Sequence, residues 1–287
     1  DETALESIYL LGKKMIEQKG ADIVLDCATD RRKVLPGADF VVTTIGVGGR
    51  RAWEQDVFIP RKYALYQSVG DAGPGGVPRT MRMIPPMIEI AKDVKRLCNG
   101  AYLFNFANPM TQICQAVAQQ AQYPIAGLCH GVPNGMKRIS RLMGIPVEDM
   151  SFIAAGLNHE VYVYDIRLNG EDLFPEILKK IDSLPPEERI VLPLNAQFMR
   201  DYHTYIVSND RHFSEFHPHC FEKNGYFGKT LGVDAFSFER TIEEGDKIYA
   251  ETAKYAHHDG PLPEEVFERM EGEQEQLIGI LDSILYD

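Results

Sequence analysis

Apolar positions along the first half of the chain alternate between two textures. Leu5, Ile8, Leu11 and Met15 recur at near-helical spacing within residues 2–18, with Gly20 as a stop. Residues 21–27 form a short apolar run that predicts a strand, and 30–35 a short helix or turn. The run 39–45 (DFVVTTI) is rich in β-branched residues and predicts a buried strand closing on the Gly46-Val47-Gly48-Gly49 turn. Helical spacing returns over 84–97, 111–121 and 135–143, and strand-like runs cover 101–106 and 124–128. Strand and helix therefore alternate to about residue 145, as parallel βαβ units do.

Right-handed crossovers put the carboxyl ends of such strands on one edge, where open α/β sheets bind ligands. Three loops follow these ends: 46–49, Asn108-Pro109 and 129–131. They are expected to converge on one crevice. Beyond residue 150 the texture changes. Runs 151–157 and 161–168 predict strands, Asn169-Gly170 a turn, and Leu184-Pro185-Pro186 a linker. From 195 the pattern is mostly helical, ending in an acidic amphipathic tail over 264–286. The expected organisation is a parallel α/β unit over 1–145 and an α+β unit over 146–287.

Composition narrows the partners. Hydrophobic residues make up 44% and charged residues 25%, a mix that builds a core. Acids outnumber bases 42 to 30, a net charge of −12 that repels nucleic acid and anionic membranes. Residues 97–136 carry no charged side chain, but their amides and three prolines exclude a membrane helix. Five cysteines without paired spacing fit a reducing, cytoplasmic compartment. The chain opens on Asp1 rather than Met, and residues are expected to have preceded it.

Several groups carry candidate chemistry. Cys129-His130 with His159 places a thiol and an imidazole on two strand-end loops. Two such ligands suit an open, catalytic metal, although a buried free cysteine with hydrogen-bonded histidines has the same signature. The 46–49 glycines allow close backbone approach to a ligand or simply make a tight turn. Residues 71–76 (DAGPGG) read either as a surface loop or as one that carries Asp71 into the crevice. Asn108 before Pro109 reads as a common turn, or as a residue whose amide can hold a sugar or ribose hydroxyl. Segment 208–215 (SNDRHFSE) can supply an acid, a base and sugar contacts, or be a solvated loop. The G-x-G-x-x-G dinucleotide fingerprint is absent.

In chain order, ADFVVTTIGVGG at 38–49, YQSVGDAGPGG at 66–76, FANPM at 106–110, GLCHG at 127–131, GLNHE at 156–160 and SNDRHFSEF at 208–216 resemble glycoside hydrolase family 4. The Cys-His-Gly form looks like its α-galactosidase, α-glucosidase and α-galacturonidase branch. That resemblance implies a Rossmann-like parallel sheet lacking its first strand and Gly-rich loop, then an α+β substrate and metal unit incomplete at its end. It implies hydrolysis of α-glycosides by an exception to two-carboxylate chemistry. NAD oxidises C3 of the sugar, a metal-assisted base removes the C2 proton, the glycosidic oxygen leaves, and water and hydride then return. Carried over residue by residue, the metal (Mn²⁺ or another divalent ion) falls to Cys129 and His159. The base falls to Asp210 and the acid to His130. Cofactor contacts fall to Asp1, Gly46, Val47, Gly48 and Asn108, and sugar contacts to Asn108, Asp71, Asn158, Arg211 and His212. A small-molecule glycoside and a homo-oligomer, dimer or tetramer, are the implied partners. A lactate- or malate-type hydroxyacid dehydrogenase and a non-catalytic remnant remain as rival readings.

Overall fold

The computed structural model describes residues 1–65, 67, 69–185, 193–213, 215–217, 238–271 and 275–286. Helix α1 (Glu2–Lys19) is bounded as its sequence requires. The Asp1 carboxylate accepts from the Thr3 and Ala4 N–H groups, and Gly20 closes the helix in the left-handed conformation. The chain then passes a single 3₁₀ turn, Arg31–Lys33, and enters strand β1 (Phe40–Thr43). Helices α2 (Gly49–Arg61) and α3 (Gly73–Leu97) lead to β2 (Tyr102–Asn105). Helix α4 (Met110–Ala116), extended by a π turn at Val117–Ala121, leads to β3 (Ala126–Gly127) and helix α5 (Gly131–Met143).

Strands β1, β2 and β3 form a parallel sheet in that order, with Phe40 opposite Tyr102 and Phe104 opposite Ala126. Their carboxyl ends share one edge, as the alternation implied. The side chain of Asn105, fully buried, locks that edge: it accepts from the Thr43 hydroxyl (2.9 Å) and the Ala107 N–H (3.1 Å) and donates to the Ala107 carbonyl. Met83, Met87, Ala91, Val94, Leu103, Ile113 and Val117 build the core beneath. Each large side chain fully buried there contributes roughly 1.5–3 kcal/mol.

The second sheet begins with the hairpin of β4 (Met150–Leu157) and β5 (Glu160–Leu168), joined by the two-residue turn Asn158-His159. Strand β6 (Glu171–Asp172) pairs with the end of β5 after the Asn169-Gly170 turn, whose two residues have φ of 52° and 85°. Helices α6 (Phe174–Ser183) and α7 (Pro193–Tyr202) follow, and β7 (Tyr205–Ile206) pairs with the start of β5. A short helix α8 (Asp210–Phe213) precedes α9 (Phe238–His257), α10 (Glu264–Glu271) and α11 (Glu275–Tyr286). Helix α5 buries Met136, Ile139 and Leu142 among Val163, Ile166, Phe174 and Met199 of this second core. It starts at the first sheet and packs into the second. Helix α9 returns to α1, where Lys14 donates to the Tyr255 carbonyl and Gln18 exchanges hydrogen bonds with Leu262.

Three expectations change. Residues 21–27 form no strand: a strand needs a neighbour for its N–H and C=O groups, this segment lies off the β1 ladder, and Val24 is almost fully exposed. Residues 49–61, unassigned by pattern, are helical. The Gly-rich segment is the first turn of a 25-residue helix, α3, extending well ahead of residue 84. Glycine is required there because α3 starts hard against α2. A Cβ at Gly75 would lie 2.3 Å from the Asp56 carbonyl oxygen, and one at Gly76 2.7 Å from that of Asp71.

Gly75→Ala should therefore destabilise the protein by about 1–3 kcal/mol, the usual cost of overpacking. Urea unfolding measures this, and an unchanged midpoint would show that the α2–α3 contact is looser than described.

Candidate active site

Cys129 stands between the end of β3 and the first turn of α5. Its sulfur accepts the Gly131 N–H at 3.3 Å, at the positive end of the helix. His159 occupies the β4–β5 turn with φ of 66°, a left-handed conformation uncommon for a side-chain-bearing residue. The Ser208 hydroxyl donates to its carbonyl at 2.9 Å, tying the turn to the strand–helix segment that carries His212. A cleft of about 310 Å³ lies between these loops, lined by Asn108, Cys129, His130, His159, Asn209 and His212 among others.

Behind the cleft, Asp71 is buried. Its Oδ2 lies 3.0 Å from His159 Nδ1 and 3.9 Å from His212 Nε2, and Arg79 donates to its Oδ1 at 2.5 Å. The Glu215 carboxylate accepts from the N–H groups of Val69 and Gly70, which fixes the loop holding Asp71. The His159 and His212 rings meet edge to face at 4.5 Å.

These contacts set the charge states. Burial pushes the Asp71 carboxyl up, but the His159 ring 3.0 Å away and the Arg79 and His212 charges outweigh it and hold it below its ordinary value. Burial likewise raises the Cys129 thiol, and the His159 ring, the Gly131 N–H and the Asn158 side chain bring it below its ordinary value. For His159, burial disfavours the charged ring, yet Asp71 and Cys129 together push its pKa up to about 9. A carboxylate and a thiol thus share one imidazole.

The structure brings Cys129, His130, Asn158, His159, Asn108, Asp71 and His212 together. His130 stacks on Phe106 at 5.7 Å. Gly46 and Val47 line a second cavity that shares Asn108 with the cleft, whereas Gly48 does not line it; a Cβ there would meet that of Ala52 at 2.5 Å. Three placements correct the sequence reading. Asp210, expected as the base, is fully buried away from the cleft: its carboxylate accepts from the N–H groups of Leu194 (2.6 Å) and Asn195 (3.1 Å) and from the Asn195 side chain, fixing the start of α7. Asp1, expected at the cofactor, caps α1 at the surface. Asp71, expected to touch sugar, has one oxygen on Arg79 and the other facing His159. The Arg211 side chain lies outside what is described. Sequence reasoning missed Arg79 and had Glu215 only as one of the titratable residues of segment 208–215. An unbroken helix starting at 73 would have pointed to Arg79, two turns on from the residue it holds.

The donors fit a divalent cation. Asp71 Oδ2 and His159 Nδ1 face each other without the alignment of a hydrogen bond. Ligand atoms of Asp71, His159 and His212 all lie within 4.8 Å of one another, with the Cys129 sulfur on the same ring. Mixed sulfur, nitrogen and oxygen donors suit a borderline transition metal.

The sequence matches two family models, Family 4 glycosyl hydrolase over residues 1–145 and Family 4 glycosyl hydrolase C-terminal domain over 154–287. The chain belongs to glycosyl hydrolase family 4. Among family relatives, it is 30% identical over 247 residues to an α-galactosidase of Rhizobium meliloti, covering 85% of this chain and 48% of the relative. It is 32% identical over 225 residues to an α-galacturonidase of Thermoanaerobacterium saccharolyticum, covering 70% and 48%. The chain spans about half the length of the curated relatives it matches. Its fold is that of a 6-phospho-α-glucosidase from gut microorganisms solved with NAD and Mn²⁺, with a TM-score of 0.70, 20% identity and coverage of 86% of this chain and 58% of that one.

Burial holds Asp210 above the ordinary carboxyl value. Such a group favours the fold most below its unfolded pKa, about 4, and that advantage is lost as pH rises through the raised folded value. The stability of the wild type relative to Asp210→Asn should therefore shrink from acid toward neutral pH in urea melts. A difference that grew with pH would show that the three N–H donors, not burial, govern the group.

Proposed function

We propose that the protein hydrolyses α-glycosides by the redox-assisted elimination of its family, with residues 1–145 as the cofactor unit and 146–287 as the substrate and metal unit. The observation that carries this reading is the meeting of the Cys129 thiol and the His159 ring, from loops far apart in sequence, at one cleft. When bound, NAD⁺ supplies a hydride acceptor and donor for the sugar, and a divalent ion such as Mn²⁺ supplies Lewis acidity.

The chain's own residues do the rest. Cys129 and His159 would hold the metal. Asp71 Oδ2 stands 3.0 Å from Nδ1 of His159 and would steady the ring from behind. Asn108 borders both cavities and holds a sugar hydroxyl beside the cofactor loop 46–47. His130, steadied on Phe106 in the cleft wall, donates a proton to the leaving oxygen. His212 takes the C2 proton in place of Asp210, since its ring borders the cleft beside His159. Asn158 steadies the Cys129 sulfur. A thiol ligand fits a reducing cytoplasm, and the four described cysteines are all free. No described helix is long and apolar enough to cross a membrane. Assembly as a homo-oligomer belongs to the same proposal on family resemblance.

The Asp71–His159 pair alone would also serve a hydroxyacid dehydrogenase. The thiol on the same ring has no part in that chemistry and favours the glycosidase.

A nitrophenyl α-galactoside or α-galacturonide should be cleaved only with NAD⁺, Mn²⁺ and a thiol reductant, and in D₂O the product should carry deuterium at C2. Cleavage that survives removal of both cofactor and metal would sink the mechanism. Titration calorimetry should show Mn²⁺ binding lost in Cys129→Ser and weakened about 10–100-fold in Asp71→Asn, the usual effect of removing a carboxylate behind a ligating histidine. Unaltered affinity in Asp71→Asn would remove Asp71 from that role.

A further inference from the structure

The cavity beside the cleft, about 220 Å³, has bare backbone on one side. Gly46 and Gly49 line it, and no atom lies within 4 Å of where a Cβ on either would stand. A ligand can therefore lie against the main chain itself. Ile45, Val47, Trp53 and Met83 supply apolar wall. The cavity opens at the carboxyl end of β1, where open α/β sheets take their ligands. These features suit the cofactor that the family's chemistry needs.

Arg79 joins this wall to the cleft. Its guanidinium lies over the Trp53 ring, 5.5 Å from the centroid. Its Nη1 donates to the Val69 carbonyl at 3.3 Å and to Asp71 Oδ1 at 2.5 Å, and the Trp53 indole N–H donates to the same Val69 carbonyl at 2.5 Å. The other Asp71 oxygen stands 3.0 Å from His159 Nδ1. One guanidinium thus stands between the cavity and a buried carboxylate, and that carboxylate stands between it and a ligand histidine. Asp71 is closed off, with 6% of its side chain exposed, whereas Arg79 lines the cavity and keeps 18%. A ligand in the cavity covers that remainder. Displacing water there lowers the local dielectric, which tightens the Arg79–Asp71 pair and stills the carboxylate behind His159.

We propose that Arg79 is a positioning residue that couples the two sites, so that NAD⁺ in the inner cavity tightens the hold on Mn²⁺ in the cleft through Asp71 and His159. This rests on the glycosidase reading of the cleft and its neighbouring cavity. The link needs a group that reaches Asp71 and still forms part of the cavity wall. A planar guanidinium spans both, and the compact ammonium of a lysine serves only one at a time. The consequence is order: the metal is gripped most firmly once the hydride acceptor is in place.

Mn²⁺ titration calorimetry without and with saturating NAD⁺ reads the coupling. The wild type should bind Mn²⁺ at least about fivefold tighter with NAD⁺, the lower end for linked sites, and NAD⁺ should gain the same factor from Mn²⁺. Arg79→Lys keeps a cation against the buried Asp71, so its cofactor-free Mn²⁺ affinity should stay close to that of the wild type while the coupling vanishes. A residue that merely props Asp71 would be replaced by lysine with the coupling intact, so full coupling in Arg79→Lys overturns the proposal. Equal Mn²⁺ affinity with and without NAD⁺ in the wild type overturns it without any variant. If Arg79→Lys no longer binds NAD⁺, the guanidinium is a direct cofactor contact and the proposal fails. It fails also if Arg79→Lys loses Mn²⁺ in the absence of cofactor, since Arg79 then acts on the metal site alone. Binding of both ligands by the wild type with no coupling leaves the glycosidase reading standing; absence of any NAD⁺ or Mn²⁺ binding sinks both.

Discussion

The contact between the Asp71 carboxylate and the His159 ring sets the geometry of everything around it. His159 sits in a left-handed turn that a histidine keeps only when its surroundings over-determine it. Those surroundings come from three separate stretches of chain. Asp71 holds one side of the ring, Cys129 interacts with it as well, Ser208 holds the backbone carbonyl, and His212 packs edge-on. Asp71 is held in turn by Arg79 and by a loop whose N–H groups Glu215 accepts. A buried polar network of this kind is rigid when each member is satisfied and costly when one is lost. The cleft therefore arrives with its ligands already oriented.

Electrostatics act on two scales here. The net charge of −12 draws cations toward the molecule and repels anions at long range, a field that suits capture of a divalent ion. Within a few ångströms the balance differs. Arg50, Arg79 and Arg82 line the inner cavity, and each is paired with an aspartate that does not line it, so the charges there are balanced pair by pair.

The parallel βαβ order was legible because β-branched runs at 39–45 and 101–106 stand out between helical spacings, and β4 and β5 were legible from their apolar runs and the Asn169-Gly170 turn. What was not legible depends on tertiary contact. Gly75 and Gly76 look like loop residues, yet they are glycines because a helix start presses on another helix's backbone. Residues 21–27 have strand composition but no ladder. The thiol–imidazole pair was legible only as a two-ligand motif on strand-end loops, and its metal role came from the resemblance, because the twenty-nine residues between Cys129 and His159 carry no regular interval. Asp71 and Asp210 are equivalent as letters in polar segments. One is buried against an imidazole and the other against a helix's first N–H groups, and only packing separates a site residue from a cap.

Helix α5 has a mechanical consequence. It leaves the first sheet at β3, two residues before Cys129, and buries its apolar face in the core beneath the second sheet, where Gly135 lets Val207 approach within van der Waals contact. Cys129 stands at its first turn, so the packing of Met136, Ile139 and Leu142 far from the cleft decides where the thiol comes to rest opposite the His159 turn.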